Sequence, residues 1–309
     1  MLNTFIVHGG AWDIPDDQIE AHVAGCRRAA EAGWALLHNG ASAVDAVEAA
    51  VRVMEDDPTF DAGHGAFLNA AGEIELDAIL MEGQALTSGA VAAVQRVRNP
   101  ISLARLVMDR TEHCLLVGAG AEAWARTQGV PVCPIVELLE TRELERWRAQ
   151  QADPTFRSKN AFELSASSRR GTVGAVARDS HGNIAAGTST GGTPNKLPGR
   201  VGDSPIIGCG AYADNRTAGV SATGWGESLM KAVFSKTICE LVGQGLDAQQ
   251  AAEAGVRLLA ERVNGLGGAI VVDHAGRIGV AYNTPRMAYA RALDGDIVAQ
   301  VDSRVPYGS

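Results

Sequence analysis

The sequence predicts an α+β protein in which two central sheets carry helices on their outer faces. Short strands bracket Ala- and Val-rich helices in both halves of the chain. Glycine is abundant, at 36 residues, while aromatics make up only 5%, which suits tight turns and closely packed small side chains. A run with neither helical nor strand period separates the halves and ends at Gly171. With 309 residues, 46% of them hydrophobic, the chain can bury a large core in one or two domains.

Leu2–Val7 reads as a short apolar strand ending in His8-Gly9-Gly10, either a plain turn or a place of close backbone approach. After Pro15, Asp16 or Asp17 can cap a helix bearing Ile19, Val23, Ala30, Trp34 and Leu37, closed by Asn39-Gly40. Ser42 caps a second helix with Val44, Val47, Val51 and Met54 on one face. Glu55–Gly65 is a loop dense in acids and turn formers, either solvated or holding a cation. Glu73–Met81 alternates as a strand, Ala85–Val97 supplies another β-branched segment, and Ile101–Asp109 starts a helix. Cys114–Val117 leads into Gly118-Ala-Gly120-Ala-Glu-Ala123, a formal dinucleotide fingerprint. A second match at Gly208–Ala213, and no surrounding series of strand–helix–strand units, argue for coincidence. Ile135–Gln151 reads as one charged helix, followed by a linker over 152–171. Thr172–Thr190 is a hairpin, and Ala218–Ala222 is a strand. Glu227–Leu241 and Asp247–Val263 are helices, and Gly267–Asn283 is the last recognisable hairpin.

The formal charge of −9 argues against nucleic acid or an anionic membrane as partner, and no apolar run approaches a membrane span. The start, MLNTFIVHGG, reads as a first strand and not as a secretory signal. Five scattered cysteines form no C-x-x-C pair, and the seven histidines show no metal-ligand spacing with them. Reduced, mostly buried thiols in a cytoplasmic protein are expected, without a side-chain metal site.

Thr172 opens a buried strand directly after the linker, as a new N-terminus would after a cut at Gly171-Thr172. Its hydroxyl would be a nucleophile and its freed α-amine a base, which titrates near pH ~7.7–8.0 when unperturbed. One of Thr188, Ser189 and Thr190, ending the paired strand, can bring a hydroxyl to it. Arg200, in a glycine-flanked loop, offers a planar fork for a carboxylate, and Asp203 a partner for an ammonium group; alternatively the two pair with each other. Thr223-Gly224 offers a hydroxyl and N–H groups for an oxyanion, or serves as an ordinary helix cap.

The segments HGG, GTVGAVA, AAGTSTGG, NKLPGRVGDSP and SATGWGE occur in an order that resembles the plant-type L-asparaginases. These are isoaspartyl peptidases of the N-terminal-nucleophile hydrolase superfamily. The resemblance implies a single αββα-sandwich domain over 1–309, self-cleaved into an α subunit (1–171) and a β subunit (172–309). It implies two such αβ pairs assembled as a dimer. L-Asparagine and β-aspartyl dipeptides would be the substrates, with no cofactor required. It carries over Thr172 as nucleophile, Thr190 as the assisting hydroxyl, and Thr223 with Gly224 as the oxyanion site. Arg200 and Asp203 would hold the α-carboxylate and α-amine, with Gly226 in the same substrate site. The family's main-chain sodium loop maps to Glu55, Asp57, Phe60, Ala62 and His64, although Asp57 and Asp61 are unusual acids there. Glycosylasparaginases are a related branch, but they resemble T-S-T-N-G and T-G-N-G where this chain has Thr188-Ser-Thr-Gly-Gly192 and Thr223-Gly-Trp-Gly226. An unprocessed, non-catalytic aspartyl-binding protein is the competing class.

Overall fold

A computed structural model describes residues 3–158, 171–293 and 295–303. Residues 159–170, most of the expected linker, lie outside the described residues.

Strand β1 (Thr4–Trp12) is buried along its whole length. Phe5 and Val7 join the core beneath the helices, whereas Ile6 joins a cluster reaching the second sheet. Both faces of this strand are therefore apolar, which explains its continuous hydrophobic run. The strand continues past the Val7 expected to end it, with its register shifting between His8 and Ala11, so the two glycines form an irregularity inside it.

Helices α1 (Ile19–His38) and α2 (Ala43–Glu55) follow. A short 3-10 turn over Asp16–Gln18 precedes α1, whose N-cap is Gln18 with no side-chain bond, so neither aspartate caps it. Ser42 does cap α2 in a reciprocal box with Asp45. Next come β2 (Leu76–Glu82), β3 (Ser88–Val94), α3 (Pro100–Arg110), β4 (Leu115–Val117) and α4 (Gly118–Thr127). The expected charged helix is broken: a 3-10 turn over Ile135–Glu137 is separated from α5 (Thr141–Ala152).

Beyond the linker, β5 (Val173–Arg178) and β6 (Ile184–Thr190) form the expected hairpin. They are followed by β7 (Ala211–Ala213), β8 (Ala218–Gly224), α6 (Gly226–Ala232), α7 (Phe234–Gly243) and α8 (Ala248–Val263). The single helix expected over Glu227–Leu241 is two, divided at Val233, which takes left-handed φ and ψ of 44° and 54°. After β9 (Gly267–Asp273) and β10 (Ile278–Tyr282) the chain adds a hairpin that its pattern did not reveal, β11 (Arg286–Leu293) and β12 (Asp296–Ser303).

Among the described residues two sheets result, of eight strands (β12-β11-β1-β5-β6-β2-β3-β4) and four (β10-β9-β8-β7). One apolar cluster lies between the large sheet and its helices, and another packs α7 and α8 on the small sheet. A third, including Ile6, Val176, Ile184, Ile270 and Val272, is shared by both sheets. β5 thus has helix α2 on one face and strands of the small sheet on the other, so its N-terminal end emerges between layers.

Candidate active site

The β5–β6 register pairs Val173 with Ser189, which sets Thr172 level with Thr190. Thr172 Oγ1 donates to Thr190 Oγ1 at 3.2 Å. Thr190 Oγ1 also accepts from the Gly192 N–H at 2.9 Å and donates to Asp61 Oδ2 at 3.4 Å. The alternative hydroxyls have other partners: Ser189 Oγ bonds Glu55 Oε1 at 2.7 Å, and Thr188 Oγ1 bonds the Gly210 carbonyl at 3.0 Å. Side-chain alternation along β6 turns Ser189 to the other face, and the β5–β6 register, which sets Thr188 opposite Gly174, leaves Thr190 level with Thr172.

The irregularity in β1 has a local function. Gly10 has φ +104°, and a Cβ built there would come within 2.6 Å of Gly171 Cα. Only glycine admits that backbone contact, which seats the Gly171-Thr172 junction against β1. His8, beside it, bonds Ser221 Oγ at 2.8 Å. Burial pushes its pKa down to about 3, against a weaker upward pull from the Thr172 backbone, so the imidazole is neutral.

Thr223 and Gly224 close β8 and do not cap α6, whose N-cap is Trp225 without a side-chain bond. Thr223 Oγ1 instead accepts the Ala11 N–H at 3.3 Å. Gly171, Thr172, Thr190, Gly192, Arg200, Asp203, Thr223, Gly224 and Gly226 all line one cleft. The residues expected to carry chemistry, scattered over more than fifty positions, are brought together by three strand ends and the loop between β6 and β7.

Arg200 and Asp203 do not pair as a surface couple. Asp203 is buried, and among the described residues its Oδ2 has no hydrogen-bond partner. Burial raises its pKa to about 7, with Arg200 pulling the other way. The Arg200 guanidinium holds Glu227 in a fork, Nε to Oε1 at 3.0 Å and Nη2 to Oε2 at 2.8 Å. Sequence reading missed Glu227; its signal was an acid in the first turn of a helix directly after Trp225-Gly226. It also missed that Asp61 reaches Thr190, a contact across 129 positions that no local pattern encodes.

The Glu55–His64 loop is held by its own bonds and by cationic neighbours. His64 N–H donates to the Glu55 carbonyl at 2.7 Å, and Phe60 N–H to the Asp57 carbonyl at 3.2 Å. Asp57 is engaged by Arg28 at 2.5 Å, and Asp61 Oδ1 by the Phe67 N–H at 3.0 Å. Arg142 donates to the Pro58 carbonyl. Burial raises the Glu55 and Asp61 carboxyls to about 8. Glu55 Oε1, Asp57 and Asp61 are engaged by protein partners, whereas among the described residues the buried Glu55 Oε2 has none; each main-chain carbonyl keeps a second lone pair. That donor chemistry fits a hard cation held by backbone oxygens.

The cleft and its scaffold define the class: the chain belongs to the asparaginase family, whose family model matches residues 1–300. Similar proteins include one from Danio rerio, 45% identical over 96% of this chain and 94% of its own length. The Homo sapiens protein is 44% identical over 96% of this chain and 95% of its own. The Xenopus laevis protein is 43% identical over 96% and 94%. All three are named isoaspartyl peptidase/L-asparaginase.

Proposed function

We propose that this chain is a self-processing threonine amidohydrolase that converts L-asparagine and β-aspartyl dipeptides to L-aspartate. The observation that carries the reading is the Thr172–Thr190 hydroxyl contact of 3.2 Å at the start of β5, in a cleft that also holds Arg200 and Asp203. The names borne by the relatives favour the same chemistry. In the uncut chain Thr172 Oγ1 attacks the Gly171 carbonyl; an ester forms, the C–N bond breaks, and the proton passes to the departing nitrogen. That nitrogen is now the free α-amine of Thr172; water then hydrolyses the ester, releasing the Gly171 carboxylate and restoring the Thr172 hydroxyl, and leaves subunits 1–171 and 172–309. The amine next takes the hydroxyl proton as Thr172 attacks the substrate's β-carbonyl. Thr223 Oγ1 and the Gly224 end of β8 receive the oxyanion, while Thr190 holds the nucleophile. Ammonia or the second amino acid leaves with a proton, and water releases L-aspartate. Arg200 and Asp203 grip the α-carboxylate and α-ammonium, with Gly226 leaving room beside them.

The same reading takes the two sheets and their helices as the αββα sandwich of N-terminal-nucleophile hydrolases, with two αβ pairs forming the assembled enzyme. Because Thr172 supplies both nucleophile and base, no organic cofactor is needed. Sodium would sit on the carbonyls of Glu55, Asp57, Phe60, Ala62 and His64 in a structural role. The five cysteines are all free, which favours a reducing compartment such as the cytoplasm.

Denaturing electrophoresis with N-terminal sequencing, joined to kinetics, tests the proposal. Wild type should yield a fragment beginning at Thr172 and hydrolyse L-asparagine and β-Asp-Leu, while Thr172→Ala should stay one chain and be inactive. A fragment starting elsewhere, or full activity in uncut protein, would overturn it. Preferential release of N-acetylglucosamine from its asparagine conjugate would move the enzyme to the glycosylasparaginase branch.

A further inference from the structure

We propose that Glu227 is a positioning residue for Arg200: it holds the side edge of the guanidinium from outside the cleft and leaves the end edge to the substrate's α-carboxylate. The inference rests on the function proposed above and identifies what fixes recognition of an α-amino acid in that site.

A guanidinium has five N–H donors on a rigid plane. Glu227 takes the side edge, Nε at 3.0 Å and Nη2 at 2.8 Å. That leaves both hydrogens of Nη1 and the second of Nη2, which together form the end edge of the fork. Two glycines of the cleft lie against that edge. A Cβ built at Gly202 would come within 2.9 Å of Nη1, and one at Gly226 within 2.8 Å of Nη2. The absence of side chains at these positions keeps the end edge clear.

The two partners differ in placement. Arg200 lines the cleft, whereas Glu227 does not. Glu227 extends from the first turn of α6 and is 35% exposed, against 16% for Arg200. Trp225 covers the guanidinium from a third direction, its ring centre 5.9 Å from Arg200 Cζ. An arginine on a glycine-flanked loop would otherwise spread over many rotamers, and ordering it would fall to the substrate. With the plane already set, an incoming carboxylate meets an oriented pair of donors beside the Asp203 carboxyl, which suits the neighbouring ammonium group. Glu227 therefore acts on ground-state binding through Arg200 and touches no reacting atom.

The test is steady-state kinetics of processed wild type, Glu227→Ala and Glu227→Gln on two substrates: L-asparagine and 3-aminopropanamide, the same amide lacking the α-carboxylate. Glu227→Ala should raise KM for L-asparagine about tenfold or more and leave kcat within roughly twofold, a loss fitting one charge-assisted contact. Glu227→Gln, which keeps one acceptor oxygen, should fall between. Turnover of 3-aminopropanamide should be equal in all three, a result that general misfolding could not produce. Should Glu227→Ala misfold, the Gln variant alone decides through the same substrate comparison. An unchanged KM, a lowered KM (Glu227 competing with substrate for the fork), or equal losses on both amides would overturn the inference while leaving the proposed function standing. Failure of wild type to hydrolyse L-asparagine would instead strike the proposed function and this inference with it.

Discussion

Asp203 shows how a single buried carboxyl can set the pH range of a site. Burial raises its pKa to about 7, so near neutrality it is part protonated, whereas an exposed aspartate would be fully charged. An α-ammonium ligand favours the deprotonated form, and that form is lost as pH falls through about 7. Calorimetric titration of L-aspartate should therefore show affinity weakening about tenfold for each unit below that point. Asp203→Asn should bind weakly and without that slope. A wild-type transition near the ordinary aspartate value would mean that the cleft is more solvated than its geometry indicates. The neighbouring hydroxyl, Thr190, illustrates the other residue-scale rule. Its oxygen accepts from Thr172 and the Gly192 N–H and donates to Asp61, so its hydrogen-bonding capacity is filled and its orientation set.

At the scale of elements, the interruption between α6 and α7 is the least expected feature. Val233 adopts left-handed backbone angles although its side chain branches at Cβ, and it is 46% exposed. Such a conformation costs an L-residue roughly 1–2 kcal/mol, while glycine accepts it freely. Val233→Gly should raise stability by about 0.5–1 kcal/mol after the entropy of the added glycine is counted. A higher urea midpoint with an unchanged m value would show this; a lower midpoint would mean that the valine side chain contributes more through packing than its backbone costs. The break ends α6, the short helix that bears Glu227, after seven residues, while Leu229 of α6 still packs with α7 in the cluster on the small sheet.

For the molecule as a whole, the Glu55–His64 loop joins parts that are distant in sequence. Glu55 accepts from Ser189 on β6 and from the Ile101 N–H of α3, Asp57 meets Arg28 of α1, and His64 meets Glu140 just before α5. A cation on this loop's carbonyls would bind the folded state alone and stabilise it by mass action. Differential scanning fluorimetry at constant ionic strength should show the melting temperature rising as sodium replaces choline. Identical curves in the two salts would remove sodium from the account and leave Arg28 and Arg142 as the loop's cationic supports.

Much of this architecture follows from local rules that can be read along the chain. Ser42 caps α2 because a short hydroxyl satisfies an N-terminal N–H, and the β5–β6 hairpin follows from two small-residue strands around a polar turn. Thr172, Arg200, Asp203, Thr223 and Gly224 stand out along the chain as candidates because each sits in a local setting that suits the chemistry proposed for it: a strand end, a glycine-flanked loop or a strand-to-helix turn. Other features were decided by contacts between distant segments. Ile6 and Phe5 face different cores, so no alternation marked the full extent of β1, and the β11–β12 hairpin gains its order by pairing with that strand. Which hydroxyl of β6 meets Thr172 depends on register, and Arg200 turns to Glu227 and not to Asp203 because α6 delivers the acid to its open edge. A raised carboxyl at Asp203 is likewise a property of burial, which exists only once the layers have closed around the cleft.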